Sequence, residues 1–570
     1  MYTASTAWLE ALHEAGVSSI FANLGSDHPG IIEKLAEAKA LGHPVPRLIT
    51  CPNEMVALSA AHGYAQVSGR AQLVLVHVEC GTQALGGAVH NAARCRIPVL
   101  IFAGASPVTQ EGELRGGRNE FIHWLQDVSD QRGIVRGYMK YENELRSGRN
   151  IKQMMFRALQ LAQSDPCGPV YLMAAREVLE EEVPRMDVDP ANWPVLEAGA
   201  LPGTGVETIA AELMEAKRPL IVTSYLGRHK RAVDEAVRLA ERLGIGVLDS
   251  APGYTNFPAS HSMYQGSQAN EPVQNAVLAD ADVILILDCD VPWIPLVNRP
   301  NAAARIYHVD VDPLKEQIPM WYVATKKAFR ADAGTALRQI NEYVDRVHGS
   351  EVNAAGRRAH YAALHEARDR RLRESEKRPV GNLITAEYLT ACVREQLRPD
   401  AIVLNEGITN YTAIHAHIGA AFPRALYASG GSALGWSGGA AIGAKLAAPD
   451  RMVVSLTGDG SFMFSVPSSV HWIARRYKTP FLQIVYNNGG WKAPRFSLLG
   501  VHPDGYASRE ADLGISFDPA PDYSGIAAAA GGAFARIVRD ADELQDALDA
   551  AIRAVTEEGR CAVLDVMLAG

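Results

Sequence analysis

The sequence predicts an α/β protein of three parallel-sheet domains in series, each sheet doubly wound with helices on both faces. Three observations predict it. The chain has 570 residues, and at roughly 100–200 residues per domain this suits about three domains. Its strand-length segments are apolar throughout rather than alternating, which is the mark of strands covered on both faces. These segments alternate with helical stretches, and the alternation recurs three times, interrupted by two stretches of different composition.

In chain order, residues 1–185 form the first domain, with strands in "SSIFANLG", "AQLVLVHV", "IPVLIFAG" and "GPVYLMAA". The segment 180–205, "EEEVPRMDVDPANWPVLEAGALPGTG", is rich in proline and acid and predicts an extended linker. Residues 200–345 form a central, Rossmann-like domain with strands in "RPLIVTSYLG", "IGVLDS", "ADVILILDCD" and "ARIYHVDVD". Residues 346–384 form a charged linker, helical over "RRAHYAALHEARDRRLRESEKRPVG", whose charges read as a solvated face. Residues 385–570 form the last domain, with strands in "AIVLNEG", "RMVVSLTGDG", "TPFLQIVYNN" and "CAVLDVML".

Composition narrows the function classes. A hydrophobic content of 48% with 21% charged residues is that of a soluble globular chain. A net charge of −9 argues against a nucleic-acid surface. No apolar run approaches the roughly 18 residues that span a bilayer, and "MYTASTAWLEALHEAG" lacks the basic and apolar regions of a signal peptide. Seven cysteines, at 51, 80, 95, 167, 289, 392 and 561, form no CxxC pair. An odd, scattered set fits a reducing compartment, and a cytoplasmic location is the expectation.

The chemistry-bearing stretch is "VVSLTGDGSFMF", residues 453–464. An apolar strand delivers Asp459 between Gly458 and Gly460. Ligands of open α/β sheets bind at the carboxyl ends of the strands, and glycines there allow close backbone approach. Asp459 presents an oxygen to a hard cation such as Mg²⁺, which takes one or two carboxylates plus phosphate oxygens. The stretch "SFMFSVPSSVHWIARRYKTP" reads as one helix over the site, its first turn, from Ser461, aiming N–H groups at a diphosphate. The next strand ends in Asn487 and Asn488. An Asn488 side-chain carbonyl and the Gly490 backbone carbonyl would complete an oxygen cage with Asp459.

Either fragment alone is only a turn. Together, with 26 residues between Gly460 and Asn487, they resemble the thiamine diphosphate signature of GDG followed by NN. That cofactor also needs a carboxylate at its pyrimidine ring. Glu54, at the head of the Ala-rich helical run "NEMVALSAAHGYAQVSG", is a carboxylate entering apolar surroundings, which is costly without a partner. The segment is similar to the glutamate segment of the thiamine diphosphate 2-oxo acid decarboxylase and acetohydroxyacid synthase family. The resemblance covers essentially the whole chain. It implies a pyrimidine-binding, a central and a diphosphate-binding domain in that order, and Leu434 in "SGGSALGWSGGAAIGAKLAAPDRMVVSLTGDGSF" as the residue that bends the cofactor. It further implies a homodimer or homotetramer in which Glu54 meets the diphosphate site of another subunit.

Ser26, Glu54 and His77 fall at the spacing of benzoylformate decarboxylase. That likeness implies Ser26 as a contact to the substrate carboxylate and His77 as a proton relay, a role that suits a near-neutral pKa. His28 stands beside Ser26 as a further candidate. "HWLQDVSDQRGIVRGYMKY" is similar instead to the acetohydroxyacid synthase segment with a glutamine facing the cofactor, here Gln126, with Lys140 near a lysine of that segment. Yet Val78-Glu79-Cys80-Gly81 stands where the synthase has SGPG, and "DCDVPWIP" replaces its Arg- and Asp-rich flavin stretch, so FAD is not expected. After Asn488, "GGWKAPRFS" implies a pocket wall of Trp491, Ala493, Pro494 and Phe496, with Lys492 or Arg495 facing an acidic substrate. Trp436 is a further pocket candidate. His415 and His417 have no companion ligands, and zinc is not expected.

The reading is a thiamine diphosphate- and Mg²⁺-dependent lyase or carboligase acting on a 2-oxo acid, which releases an aldehyde or joins the fragment to a second carbonyl. Acetolactate formation from pyruvate is the alternative within the family. A catalytically silent cofactor-binding subunit is the alternative of another class; intact Glu54, Asp459 and Asn488 argue against it. A nicotinamide oxidoreductase would need a phosphate loop and a ribose-binding acid, and no such pair is found.

Overall fold

The computed structural model of the chain describes residues 1–348, 354–419, 426–510 and 512–569. Positions 349–353 of the expected linker, and 420–425, 511 and 570 of the expected last domain, lie outside the described residues. Eighteen strands form three six-stranded sheets, and the protein is an α/β chain of three parallel-sheet domains.

The first sheet uses β1 (Ser19–Ala22), β2 (Arg47–Thr50), β3 (Gln72–Val76), β4 (Val99–Ala105), β5 (Tyr141–Leu145) and β6 (Val170–Ala175). Their order is β2-β1-β3-β4-β6-β5, every pairing parallel. The second uses β7 (Pro219–Thr223), β8 (Gly246–Ser250), β9 (Tyr264–Gln268), β10 (Val283–Leu287), β11 (Arg305–Asp310) and β12 (Lys327–Arg330). It runs β12-β11-β10-β7-β8-β9, again parallel. The third uses β13 (Ile402–Glu406), β14 (Leu426–Tyr427), β15 (Val453–Gly458), β16 (Leu482–Asn487), β17 (Phe534–Val538) and β18 (Ala562–Met567), in the order β14-β13-β15-β16-β18-β17. The predicted strands are the four inner strands of each sheet. The two edges of each sheet, β2 and β5, β9 and β12, β14 and β17, are additions.

By internal packing the chain divides into two compact units. Residues 1–196 with 429–537 and 550–565 make one; residues 197–428 with 538–549 and 566–570 make the other. In the second unit the strand alternation sorts side chains onto the two faces of its sheet. Leu220, Val222, Leu248, Ile284 and Ile286 pack on one face, and Ile221, Val247, Leu285 and Leu287 on the other. The charged stretch is helical over Ala355–Ser375, as expected. It is also a packing element, because Tyr361 and His365 are buried and the Tyr361 hydroxyl donates to the Pro219 carbonyl (2.8 Å). His415 and His417 are buried with partners of their own: His415 Nε2 lies 3.3 Å from Asp249 Oδ2, and His417 Nδ1 lies 2.7 Å from Glu376 Oε1.

In the first unit, the helix Glu54–Ser68 crosses the helix Trp436–Ala447 at backbone-to-backbone distance. Both are built of Gly and Ala at the crossing. A Cβ at Gly443 would overlap the Ala60 carbonyl oxygen, and one at Gly63 would overlap that of Ala440. The segment expected as one helix over 461–480 is two. Helix Asp459–Phe464 stops at Ser465, Val466 takes φ 52°, and Pro467 starts the helix Pro467–Tyr477. Proline lacks an N–H and bars its predecessor from the helical region, so the break is local chemistry.

The crossing predicts a strong asymmetry between glycines. Gly443→Ala should destabilise the protein by about 3 kcal/mol through overpacking. Gly137→Ala, where a Cβ meets nothing within 4 Å, should change it by less than about 0.5 kcal/mol. Urea unfolding of the two variants would check this; equal midpoints would mean that the helices separate at little cost.

Candidate active site

Four neighbouring strands of the first sheet, β2, β1, β3 and β4, release their carboxyl ends on one edge. Glu54 follows β2, Asn23 to His28 follow β1, His77 to Gly81 follow β3, and the segment from Ser106 to Gln126 follows β4. Asn53 caps the helix that Glu54 begins, its side chain accepting from the Val56 amide (3.1 Å). Asn23 Nδ2 donates to Glu54 Oε1 (2.9 Å), and a Cβ on Gly81 would stand 3.3 Å from the same oxygen. Burial pushes the Glu54 carboxyl above its ordinary range; the helix-start amide, Asn23 and His77 oppose the rise and do not cancel it.

Asp27 is the residue that the sequence reading passed over. It is buried, and its Oδ1 accepts from His77 Nδ1 at 2.6 Å. Its Oδ2 accepts from the Val78 amide (3.2 Å) and lies 3.3 Å from His28 Nε2. Gly25 and Gly104 make the room: a Cβ on either would overlap His77 or Asp27. Val78 takes φ 25°, a strained conformation for a β-branched residue, and its amide is thereby one of Asp27's partners. Burial alone would raise the Asp27 pKa. The His28 charge, the His77 hydrogen bond and charge, and the Val78 amide outweigh it and hold the carboxyl below its ordinary range. Burial would lower His77, but the Asp27 hydrogen bond and charge prevail and raise it.

His77 Nε2 meets Gln126 Oε1 at 3.0 Å, and Gln126 Nε2 donates weakly to Cys80 Sγ at 3.5 Å. The Cys80 thiol is exposed and donates to Glu79 Oε1 (2.9 Å), which with burial pushes it up to about 11. Two of the three residues that break the SGPG pattern, Glu79 and Cys80, thus stand beside the His77–Gln126 pair. Ser26 Oγ lies 3.3 Å from His123 Nε2. His28, expected at the reacting atoms, is fully buried behind Asp27, its Nδ1 accepting from the Gly25 amide (3.0 Å). Lys140 lies away from this group and donates to the Ser164 carbonyl.

The second candidate centre sits at the carboxyl ends of the adjacent strands β15 and β16. Gly458 ends β15 and Asp459 opens the next helix. Asp459 is buried; its Oδ1 accepts from the Gly460 amide and its Oδ2 from the Gly490 amide, each at 2.8 Å. Burial raises its pKa, and the amides of residues 460 and 488–490 do not bring it back. The largest opposing influences on it are backbone amides rather than a cationic side chain. Ser461 Oγ is buried with no hydrogen-bond partner among the described residues. Asn487 ties the loop to the sheet by donating to Asp565 Oδ1 (2.9 Å), while Asn488 is half-buried beyond it. A buried carboxylate at Asp459, with Asn488 on the neighbouring loop, is the type of oxygen donor that a hard divalent cation takes.

Of the expected pocket residues, Trp491 alone lines the adjoining cavity of about 550 Å³, with Met463, Phe464, Phe517, Asp518, Pro519 and Pro521. Its ring stands edge-on to Phe517, centroids 5.1 Å apart. Ala493 and Pro494 lie exposed in the first turn of the helix Lys492–Val501 instead of on a loop wall, and Phe496 is exposed on the same helix. Trp436 is core, buried edge-on against His62 with ring centroids 5.4 Å apart. Leu434 is half-buried just before Gly435, whose φ is 93°.

Three domain patterns match the chain in order. The thiamine pyrophosphate enzyme N-terminal TPP binding domain matches residues 2–134, the central domain 206–340, and the C-terminal TPP binding domain 407–566. A sulfoacetaldehyde acetyltransferase of Castellaniella defragrans is 26% identical, covering 99% of this chain and 93% of the relative. A benzoylformate decarboxylase of Pseudomonas aeruginosa is 25% identical, covering 87% and 88%. An acetolactate synthase large subunit of Lactococcus lactis is 25% identical, covering 80% and 76%. Among solved structures, a thiamine diphosphate-dependent 4-hydroxybenzoylformate decarboxylase of Rhodococcus jostii RHA1 superposes with a TM-score of 0.78 at 23% identity. It covers 100% of this chain and 99% of that one.

The Asp27–His77 pair carries a pH signature. In Asp27→Asn the His77 pKa should fall, because its largest favourable partners are removed and burial remains. Wild type should exceed the variant in stability most between the ordinary carboxylate pKa, about 3.9, and the ordinary histidine pKa, about 6.5. Below that window Asp27 protonates and the advantage is lost. Above it, the advantage fades as pH rises through the raised His77 pKa. Urea midpoints across pH 3 to 9 would check this; a constant difference would mean that the pair is not ionised.

Proposed function

Because the chain belongs to the thiamine pyrophosphate enzyme family, whose three domains it carries in order, we propose that it uses thiamine diphosphate and Mg²⁺ to break a carbon–carbon bond in a 2-oxo acid. The observation that supports this reading is the convergence of two proton-holding groups at one sheet edge: Glu54 with a raised pKa, and His77, bonded to the Asp27 carboxylate, whose pKa is also raised.

The chemistry thiamine diphosphate supplies when bound is a nucleophilic carbon and an electron sink. The chain supplies position and protons. Asp459, Asn488 and the Gly490 carbonyl would hold Mg²⁺. The Ser461 hydroxyl and the Gly458–Gly460 turn would meet the diphosphate, and Leu434 would support the cofactor's bend. Glu54 would share its proton with the pyrimidine ring, a role that needs a carboxyl protonated at higher pH than an exposed one. Ser26 would contact the substrate carboxylate. His77, its pKa raised by Asp27, would hold a proton at Nε2 for the product carbon or oxygen. Gln126 caps that nitrogen and must swing aside for transfer. His28 acts through Asp27 and is a positioning residue.

One observation favours a second reading. Gln126 accepts from His77 Nε2 and so withholds the proton that aldehyde release needs. This suits ligation of the fragment to a second carbonyl compound, of which acetolactate formation from pyruvate is one case.

The first experiment is CO₂ release from pyruvate, branched 2-oxo acids and benzoylformate, with and without thiamine diphosphate and Mg²⁺, with the organic product identified. CO₂ with a free aldehyde is expected for the decarboxylase, and CO₂ with an acyloin or acetohydroxy acid for the ligase. No CO₂ from any acid would sink both. Glu54→Gln should lower turnover by at least about 100-fold with cofactor affinity and fold retained; near-normal turnover would remove Glu54 from the chemistry. Asp459→Asn should weaken Mg²⁺ binding measured calorimetrically. In the unsubstituted protein that affinity should fall as pH drops through the raised Asp459 pKa, since a proton and the metal compete for one carboxylate. Unchanged affinity in the variant would place the metal elsewhere.

A further inference from the structure

His123 stands outside every role given above, yet its hydrogen bonds fix a proton. Its Nδ1 accepts from two backbone amides, Asn119 and Glu120, each at 3.3 Å. A proton on Nδ1 would face both amide hydrogens, so the ring carries its hydrogen on Nε2. That nitrogen lies 3.3 Å from Ser26 Oγ. The Nε2–H therefore donates, Ser26 Oγ accepts, and the Ser26 hydroxyl proton is left to point to another acceptor. Burial, reinforced by the Arg176 and Arg118 charges, keeps the ring neutral.

The two loops that bring this pair together are fastened by one guanidinium. Arg176, buried just after β6, donates from Nη1 to the Ser26 carbonyl (3.1 Å), from Nη2 to Asn119 Oδ1 (2.9 Å) and to the Gly117 carbonyl, and from Nε to the Gly116 carbonyl (2.6 Å). Its neighbour Glu177 accepts from the amide and hydroxyl of Thr109 at 2.9 and 2.7 Å, holding the near end of the same loop. Gly116 has φ 97°, a conformation strained for any other residue, and a Cβ there would stand 3.3 Å from the Arg176 backbone. The Ser26–His123 geometry is thus held from behind by a fixed frame.

We propose that His123 is a positioning residue that makes Ser26 an obligate hydrogen-bond donor, so that this end of the pocket selects a substrate oxygen that only accepts: a carboxylate. The inference rests on the 2-oxo acid reading for the identity of the carboxylate, but not for the direction of the proton. An amide or alcohol at that place would gain less, because a hydrogen bond to a charged acceptor is roughly twice as strong as one between neutral groups.

Two measurements test it. In protein labelled with ¹⁵N-histidine and loaded with thiamine diphosphate and Mg²⁺, the His123 signal, identified by its loss in His123→Asn, should report the Nε2–H tautomer from pH 6 to 8. The Nδ1–H tautomer would overturn the proposal, and this readout does not depend on turnover. With whichever of pyruvate or benzoylformate is turned over, Ser26→Ala and His123→Ala should each raise KM about tenfold, with cofactor affinity unchanged. The double variant should be no worse than either single one, and His123→Gln, which keeps an N–H donor, should recover part of the loss. Additive losses, or an unchanged KM in His123→Ala, would overturn it. Absence of CO₂ from every acid would count against the 2-oxo acid reading alone, since the tautomer decides the Ser26–His123 arrangement independently.

Discussion

Removing a carboxylate from water costs on the order of several kcal/mol, and the two candidate centres hold three that are buried or half-buried, Asp27, Glu54 and Asp459. Each is reconciled with its burial differently. Asp27 is compensated from within the chain, by two histidines and an amide, and stays ionised. Glu54 has one neutral amide partner and keeps its proton more readily. Asp459 accepts from the backbone N–H groups of Gly460 and Gly490, and burial raises its pKa despite them. The differences follow from what each neighbourhood lacks. A site with its own counter-ion can position a histidine. A site without one has room for an external partner, a ring nitrogen at Glu54 or a cation at Asp459. Much of the surrounding architecture serves these placements: Gly25 and Gly104 vacate space around Asp27 and His77, Gly81 stands close to Glu54, and the Gly- and Ala-lined helix crossing fixes the helix that Glu54 begins.

How far the sequence discloses this depends on how much burial each element has. The inner strands of all three sheets are apolar from end to end and are legible. The edges are not. β2, β5, β12 and β17 are partly exposed and carry mixed residues, and β14 is two residues long. An edge strand faces a neighbour on one side only, so its sequence is under weaker constraint and no apolar run announces it. The same logic covers the helix break. Pro467 marks it plainly, but the apolar content of Phe462, Met463 and Phe464 on one side and Val470 and Ile473 on the other mimics one continuous face.

The site divides along the same line. Asp459 and Asn488 are legible because short-range turn chemistry puts them at strand ends, and Glu54 because it heads an Ala-rich helix. Asp27 is not, although it lies between two residues that were singled out. Its role comes from contacts across the sheet, to His77 some fifty positions on, and nothing local separates it from a loop aspartate. Trp436 fails in the opposite direction. Its position just after Leu434 suggests the pocket, but the close helix crossing draws it into the core against His62.

This distribution bears on why relatives of one fold differ in reaction. The groups that would serve the cofactor are anchored to strand ends and held by backbone amides, so they tolerate little change. The groups around the substrate end come largely from the β3 turn and the long segment after β4. Val78-Glu79-Cys80-Gly81 replaces a Gly- and Pro-rich run with a strained valine, a buried acid and a thiol. The segment after β4 brings Gln126 onto His77 and His123 onto Ser26. On the proposed reading, Gln126 would control access to the His77 proton and His123 would orient the Ser26 hydroxyl. One segment thus supplies both the Gln126 amide at His77 and the His123 imidazole at Ser26, while Glu54 and Asp459 are held by other parts of the fold. On the proposed reading, changes to that segment would act on the product-forming steps while leaving the centre at Asp459 in place.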